Sequence, residues 1–217
     1  MKILIFGDVH GNLPALEMFF LREKNNYDAL VCHGDVVNYG PWTNECIALL
    51  NAMPSCTILK GNHENYFING SYDGTNIIAN TFFEHCYSNF NKSLVNIIDS
   101  YGCKIQLEDF TIQHTLNNQY IFSDTDISDL EIDTNYIIGH SHQQYERAKN
   151  KFKIYNTGSL GQNRKYINQS CYLKFDTSNK IIELKNFTYD INTVINQMKA
   201  EKYPLICIDY YRSKMQL

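Results

Sequence analysis

The sequence predicts a mixed α/β fold in which two sheets pack face to face with helices outside them. Two observations carry this. Roughly the first 60 residues alternate short apolar runs with helical patterns, the mark of a β-α-β-α-β unit with a parallel sheet. From residue 104 the pattern changes to a succession of short strand-like runs, so the second half is β-rich.

Taken in order, Ile3-Leu4-Ile5-Phe6 is a continuous apolar run that stops at Gly7 and suits a strand buried on both faces. Asn12 can cap a helix whose first turn tolerates Pro14, and Leu13, Leu16 and Phe20 recur at helical spacing. Ala29-Leu30-Val31-Cys32 reads as the second strand. A second helix starts near Thr43, with Ile47 and Leu50 on its apolar face, and Cys56-Thr57-Ile58-Leu59 reads as the third strand. Residues 64–100 look helical and rich in aromatics, including Tyr66, Phe67, Tyr72, Phe82 and Phe83. Strand-like runs follow at 104–107, 110–115, 135–139, 152–156, 171–175 and 181–188, and Ile191 to Glu201 reads as a late helix. The tail after Pro204 gives no signal. With no repeat, low-complexity tract or linker, residues 1–217 are expected to form one domain with a helical insert at 64–100.

Composition narrows the function. Apolar content of 44% suits a proper core, and a net charge of −4 without a basic block argues against a general grip on nucleic acid. The seven cysteines are scattered and form no Cys-x-x-Cys pair, so buried free thiols in a reducing compartment are expected rather than a thiolate zinc site. The start of the chain is too short in apolar residues for a signal-peptide core, and no run reaches the ~18 apolar residues that span a bilayer. The expected setting is the cytoplasm, with no membrane partner; homo-oligomerisation stays open.

Four segments carry the chemistry: Gly7-Asp8-Val9-His10-Gly11-Asn12, Gly34-Asp35-Val36-Val37, Gly61-Asn62-His63-Glu64 and Gly139-His140-Ser141-His142. A lone Gly-Asp after a strand is usually a turn, and a lone His is more often a hydrogen-bonded core or surface residue. Four such segments, three of them at predicted strand ends, reverse that reading. Ligands of an open parallel sheet gather at the carboxyl ends of its strands, where Asp8, Asp35 and Asn62 all lie. Asp8 and His10 are two residues apart, as are His140 and His142, and an extended segment places such pairs on one side. Imidazole with carboxylate suits Mn, Fe, Zn, Co or Ni, with manganese placed first. Two divalent ions outweigh two carboxylates, and the residual positive charge attracts phosphate and lowers the pKa of a bridging water from ~15.7 to about 7. The chemistry this implies is phosphoester hydrolysis. His33, beside Gly34, is read as packing within its strand.

The order of these segments resembles the calcineurin-like metallophosphoesterase superfamily, whose motifs run D-x-H, G-D, G-N-H-[DE], a lone His and G-H-x-H. Gly34 to Cys46, Gly-Asp-Val-Val-Asn-Tyr-Gly-Pro-Trp-Thr-Asn-Glu-Cys, is similar to the matching loop of its small stand-alone prokaryotic phosphodiesterases. So is Asn156 to Arg164, although both prolines of that family loop are replaced here. The resemblance implies a four-layer sandwich of two mixed sheets flanked by helices, and two divalent ions sharing a hydroxide. It implies Asp8, His10, Asp35 and His142 on the first ion, and Asp35, Asn62, His114 and His140 on the second. It assigns His63 to the leaving group as general acid, with Glu64 or another nearby acceptor orienting the ring. His114 is preferred to His85 as the lone His.

The leading expectation is a phosphodiesterase acting on a small or nucleotide substrate, with Tyr39 and Trp42 in the loop after Asp35 as contacts and the aromatics of the 64–100 insert as a lid. A phosphomonoesterase or protein phosphatase is the alternative. In that branch the second motif reads G-D-x-V-D-R-G and its Arg grips phosphate bidentately. Here Asn38-Tyr39-Gly40 stands there, and Arg164 is the residue that could substitute. A non-catalytic scaffold or a nuclease of the same fold is less favoured.

Overall fold

A computed structural model describes residues 1–217. Strand β1 (Lys2–Phe6), helix α1 (Leu13–Arg22), β2 (Ala29–Cys32), α2 (Thr43–Ala52) and β3 (Cys56–Ile58) form the expected unit, with β1–β2 and β2–β3 pairing in parallel. Asn12 caps α1 by accepting from Ala15 N, and Pro14 lies in its first turn. Residues 62–99 hold three helices, α3 (Asn62–Asn69), α4 (Ile77–Asn89) and α5 (Val95–Asp99), with a 3-10 turn at Lys92–Leu94. Gly70, in the left-handed region, ends α3.

Then come β4 (Lys104–Leu107), β5 (Phe110–Gln113), β6 (Asn135–Ile138), β7 (Gln144–Lys149), β8 (Phe152–Thr157), β9 (Gln169–Asp176), β10 (Ile181–Thr188), α6 (Ile191–Ala200) and α7 (Leu205–Arg212). The strands make two five-stranded mixed sheets, ordered β10-β9-β1-β2-β3 and β4-β5-β6-β8-β7, flanked by helices. The return of β9 antiparallel to β1 brings the 158–168 loop back over the end of β1, with Leu160 N donating to Gly7 O and Gly161 N to Asp8 O.

Alternation along the strands builds the layers. Ile3 and Ile5 of β1, Ile137 of β6 and Leu173 of β9 fill the space between the sheets. Leu4 and Phe6 point the other way, into a larger core shared with the helices. The outer face of the second sheet is covered differently. Ile138, Tyr145 and Ile154 pack under Leu116, Ile121, Ile127 and Leu130, from a 114–134 connection that contains no helix.

Two elements gave no signal in the sequence. Strand β7, Gln-Tyr-Glu-Arg-Ala-Lys, is an edge strand that lacks an apolar run because Arg147 and Lys149 reach carbonyls of the 114–134 connection, donating to Phe122, Thr125, Ile127 and Ser128. Helix α7 is short, and Cys207, Ile208 and Tyr211 become a buried face only against α4 and α6. No helix is long and apolar enough to cross a membrane.

Candidate metal centre

The candidate residues stand in turns that begin where strands stop. Asp8 and His10 follow β1, Asp35 follows β2, His114 follows β5, and His140 and His142 follow β6. Asn62 and His63 open α3 just past β3. The i, i+2 pairs converge by a route other than extended backbone. Asp8, His10, Asp35, His140 and His142 all have positive φ, between 49° and 67°. The strands have ended, and alternate left-handed residues curl the chain so that each pair turns inward; Asp, Asn and His tolerate this region better than most. The loops hold one another in that shape, with Asp8 N donating to Gly34 O (2.9 Å), His10 N to Asp35 O (3.0 Å) and Gly11 N to Val36 O (2.8 Å).

Six of the seven histidines gather here with the two carboxylates. Asp8, His10 and His142 bring potential ligand atoms within 4.8 Å of one another, as do Asp35, His114 and His140. His142 Nε2 lies 3.2 Å from Asp8 Oδ1, and His114 Nε2 lies 3.1 Å from both Asp35 Oδ2 and Asn62 Oδ1. His85 lies elsewhere, in α4, with its ring against Tyr203.

Whether this donor set fits a cation can be judged from its hydrogens. His10 Nδ1 faces Val37 O at 3.0 Å, and His142 Nδ1 faces Gln162 O at 2.5 Å, so each donates there and leaves Nε2 as a lone pair. Those two Nε2 atoms are 3.2 Å apart, with no hydrogen to share between them. Asp8 Oδ1 is buried without a hydrogen-bond partner. Two converging lone pairs and an unpartnered carboxylate oxygen are what a divalent cation relieves.

Burial opposes ionisation of Asp8 and Asp35. For Asp35 the neighbouring His114 imidazolium outweighs it and holds the carboxyl well below the usual range. Burial likewise works against charge on His114, but the Asp35 carboxylate wins and pushes it up to about 9. Burial lowers His63 to about 4 and His140 to about 3, so both are neutral rings at pH 7 without ligands.

Two supporting residues differ from expectation. Glu64 does not orient His63. Its carboxylate accepts from the backbone N–H groups of Asp35, Val36, Val37 and Gly61, tying the second and third loops together. Burial, followed by the nearby Asp35 charge, raises Glu64 to about 7. The partner of His63 Nδ1 is the Asn38 side chain, at 2.9 Å. The signal for Asn38 was present in the sequence, as the residue standing where the phosphatase motif has Asp. His33 does not pack within its strand either. It sits one residue past β2, donating or accepting with Thr157 Oγ1 at 2.7 Å. A Cβ on Gly7 or Gly139 would come within 2.2 Å or 2.1 Å of its ring, so these glycines make room for the imidazole under both ligand loops.

A cavity of about 400 Å³ opens beside the centre, lined by Asn62, His63 and Tyr39 on its inner side and by Arg164 and further tyrosines beyond. The Tyr39 ring lies 4.8 Å from the His10 ring and 5.3 Å from the His63 ring. Trp42 does not line this cavity. It precedes α2 and packs its ring against the helical core, while its backbone N–H donates to Gly11 O.

The model of the calcineurin-like phosphoesterase family matches residues 1–158. An uncharacterized protein of Methanocaldococcus jannaschii is 28% identical over 229 residues, which cover 93% of each chain. The crystal structure of a metallophosphoesterase from Sphaerobacter thermophilus superposes with a TM-score of 0.80 at 23% identity, covering 98% of this chain and 99% of that one. A hypothetical protein from Pyrococcus horikoshii also gives 0.80, at 12% identity and 97% coverage of both. The fold is therefore shared along the whole chain, and the family motifs fall on the residues that meet at the crevice. This chain belongs to the calcineurin-like phosphoesterase family.

Proposed function

We propose that this protein is a divalent-metal-dependent phosphodiesterase acting on small diesters, nucleotides among them. The observation that carries the metal reading is the pair of imidazole lone pairs 3.2 Å apart beside an unpartnered Asp8 oxygen. Asp8, His10 and His142 would hold one ion, and Asn62, His114 and His140 a second, with Asp35 shared. Bound divalent ions supply Lewis acidity at phosphorus and make water a nucleophile at neutral pH, manganese being the first choice for this donor set.

The chain's own residues do the rest. The Asn38 side-chain amide meets His63 Nδ1 at 2.9 Å and turns Nε2 toward the centre, 4.0 Å from Asp35 Oδ2. A phosphate placed there raises the proton affinity of His63 by its charge; the Asn38 carbonyl oxygen, which has no other partner, can then accept from Nδ1–H of the imidazolium while Nε2 delivers a proton to the departing oxygen. Glu64 keeps the Asp35 loop rigid while this happens. The diester preference rests on Asn38-Tyr39, where a phosphatase carries Asp-Arg. A monoester brings two negative charges and a diester one, and no guanidinium follows Asn38 to hold the second. Seven free cysteines suit a reducing, cytoplasmic setting, and residues 1–217 read as one domain with its helical insert walling the crevice.

Arg164, which lies at the cavity with no carboxylate within ion-pair distance, favours a phosphomonoesterase as the second reading. Manganese-loaded protein assayed on bis-p-nitrophenyl phosphate and on p-nitrophenyl phosphate separates the two. The diester should have the higher kcat/KM; a strong monoester preference would reverse the order.

A further inference from the structure

The centre opens onto several cavities, and the two that share Arg164 differ in chemistry. On the His63 side is the cavity described above, walled by Tyr39, Tyr66, Tyr72, Tyr120 and Tyr210. Tyr66 and Tyr72 meet edge to face at 4.9 Å, and Tyr120 stacks on His140 at 3.9 Å, so the wall is a set of aromatic edges and faces. On the His142 side is a second cavity, also about 400 Å³, whose lining residues are mostly polar, Gln143, Asn163, Lys165 and Gln169 among them, together with Phe122 and Tyr166. Arg164 lines both, its guanidinium 5.2 Å from the Tyr120 ring centre, and no carboxylate lines either cavity. Cavities of this size each take a small-molecule group.

From this arrangement, and resting on the phosphodiesterase reading above, we infer that the substrate is an unsymmetrical phosphodiester whose planar, base-carrying arm lies in the tyrosine cavity and leaves as the alcohol, while a polar, hydroxyl-rich arm stays esterified on the His142 side. His63 decides the direction, because it is the one proton donor of the centre that lines the tyrosine cavity. Water adds its oxygen to phosphorus. The P–O bond to the aromatic arm breaks with its electron pair on the departing oxygen, which takes the proton from His63 Nε2. The proton lost by water restores His63, so the products are the base-carrying alcohol and the phosphomonoester of the polar arm. Arg164, between the two cavities, pairs with the phosphate's remaining negative charge as the arms separate.

Adenosine 5′-phosphoglycerol tests this, because both of its ester oxygens belong to primary alcohols of similar acidity and the protein alone sets which bond breaks. Initial products of the metal-loaded enzyme should be adenosine and glycerol phosphate, in about tenfold or greater excess over AMP and glycerol. AMP and glycerol, or an even mixture, would overturn the assignment of arms while leaving the phosphodiesterase reading intact. Cleavage of bis-p-nitrophenyl phosphate with no cleavage of adenosine 5′-phosphoglycerol would do the same. Hydrolysis of p-nitrophenyl phosphate with neither diester touched would remove the phosphodiesterase reading and this inference with it. A binding measurement stands apart from turnover. Adenosine alone should show saturation-transfer NMR contacts to the protein as isolated, and Thr75→Trp, which fills the cavity mouth from an exposed position, should abolish them. No contact with the unaltered protein, or contacts unchanged in T75W, would place the base elsewhere.

Discussion

The floor and the wall of this crevice are built on opposite plans. The floor consists of Asp8, His10, Asp35, His140 and His142, all at most 8% exposed, held in left-handed turns and bonded to backbone of neighbouring loops. The wall consists of tyrosines from distant parts of the chain. Tyr66, Tyr72 and Tyr210 are half-buried and Tyr120 is exposed, and they touch chiefly through ring faces and edges. Metal ligands must be fixed to within tenths of an ångström before substrate arrives, so their cost in backbone strain is met by a dense hydrogen-bond network. A wall of phenols selects by area and shape and tolerates adjustment.

That contrast can be broken by substitution, and the largest effect belongs to the floor. Asp35→Ala should lower activity on every phosphoester by about a thousandfold or more, and elemental analysis should show metal content falling with it; retained metal with near-normal turnover would remove Asp35 from the centre. His63→Ala should lower kcat by roughly 10²–10⁴-fold with metal content unchanged, which distinguishes a proton donor from a ligand. Glu64→Ala should show up in stability rather than in chemistry. It strands four buried N–H groups in one step, and urea unfolding should report a loss of about 3–5 kcal/mol. A loss below ~1 kcal/mol would mean that water replaces the carboxylate.

Asn38→Ala should reduce kcat by about tenfold or more and leave metal content alone, as expected when a ring loses the partner that orients it. The smallest effect belongs to the wall. Tyr72→Ala should raise KM for base-carrying diesters by about three- to tenfold, with kcat held within twofold. Equal effects on a diester without an aromatic arm would show that the wall supports the floor rather than choosing the substrate.

The floor was legible because its information is local. Each candidate ligand sits within a few residues of a strand end, and strand ends in a parallel unit share one edge, so Asp8, Asp35 and Asn62 could be brought together from patterns in the sequence. What was misread there concerns backbone and support. Asp8-x-His10 reads as extended by spacing but curls through positive φ, and Glu64 reads as a partner for His63 because it is adjacent, yet its carboxylate turns back to the N–H groups before α3. The wall was legible only in part. Tyr39, Arg164 and the aromatics of the 64–100 insert were candidates, but Tyr120 and Tyr210 look like ordinary core aromatics until α7 and the 114–134 connection fold over the same opening.

By itself the sequence determined the α/β class, the two-sheet plan and the edge of the sheet at which the candidate donors gather, because strand periodicity and turn chemistry act over a few residues. Only the tertiary structure decided that Asn38 meets His63, that His33 lies beneath two ligand loops, that Trp42 turns away, and that two unlike cavities flank the centre. Those depend on contacts between segments tens of residues apart, where a displacement of one side chain's width changes the partner.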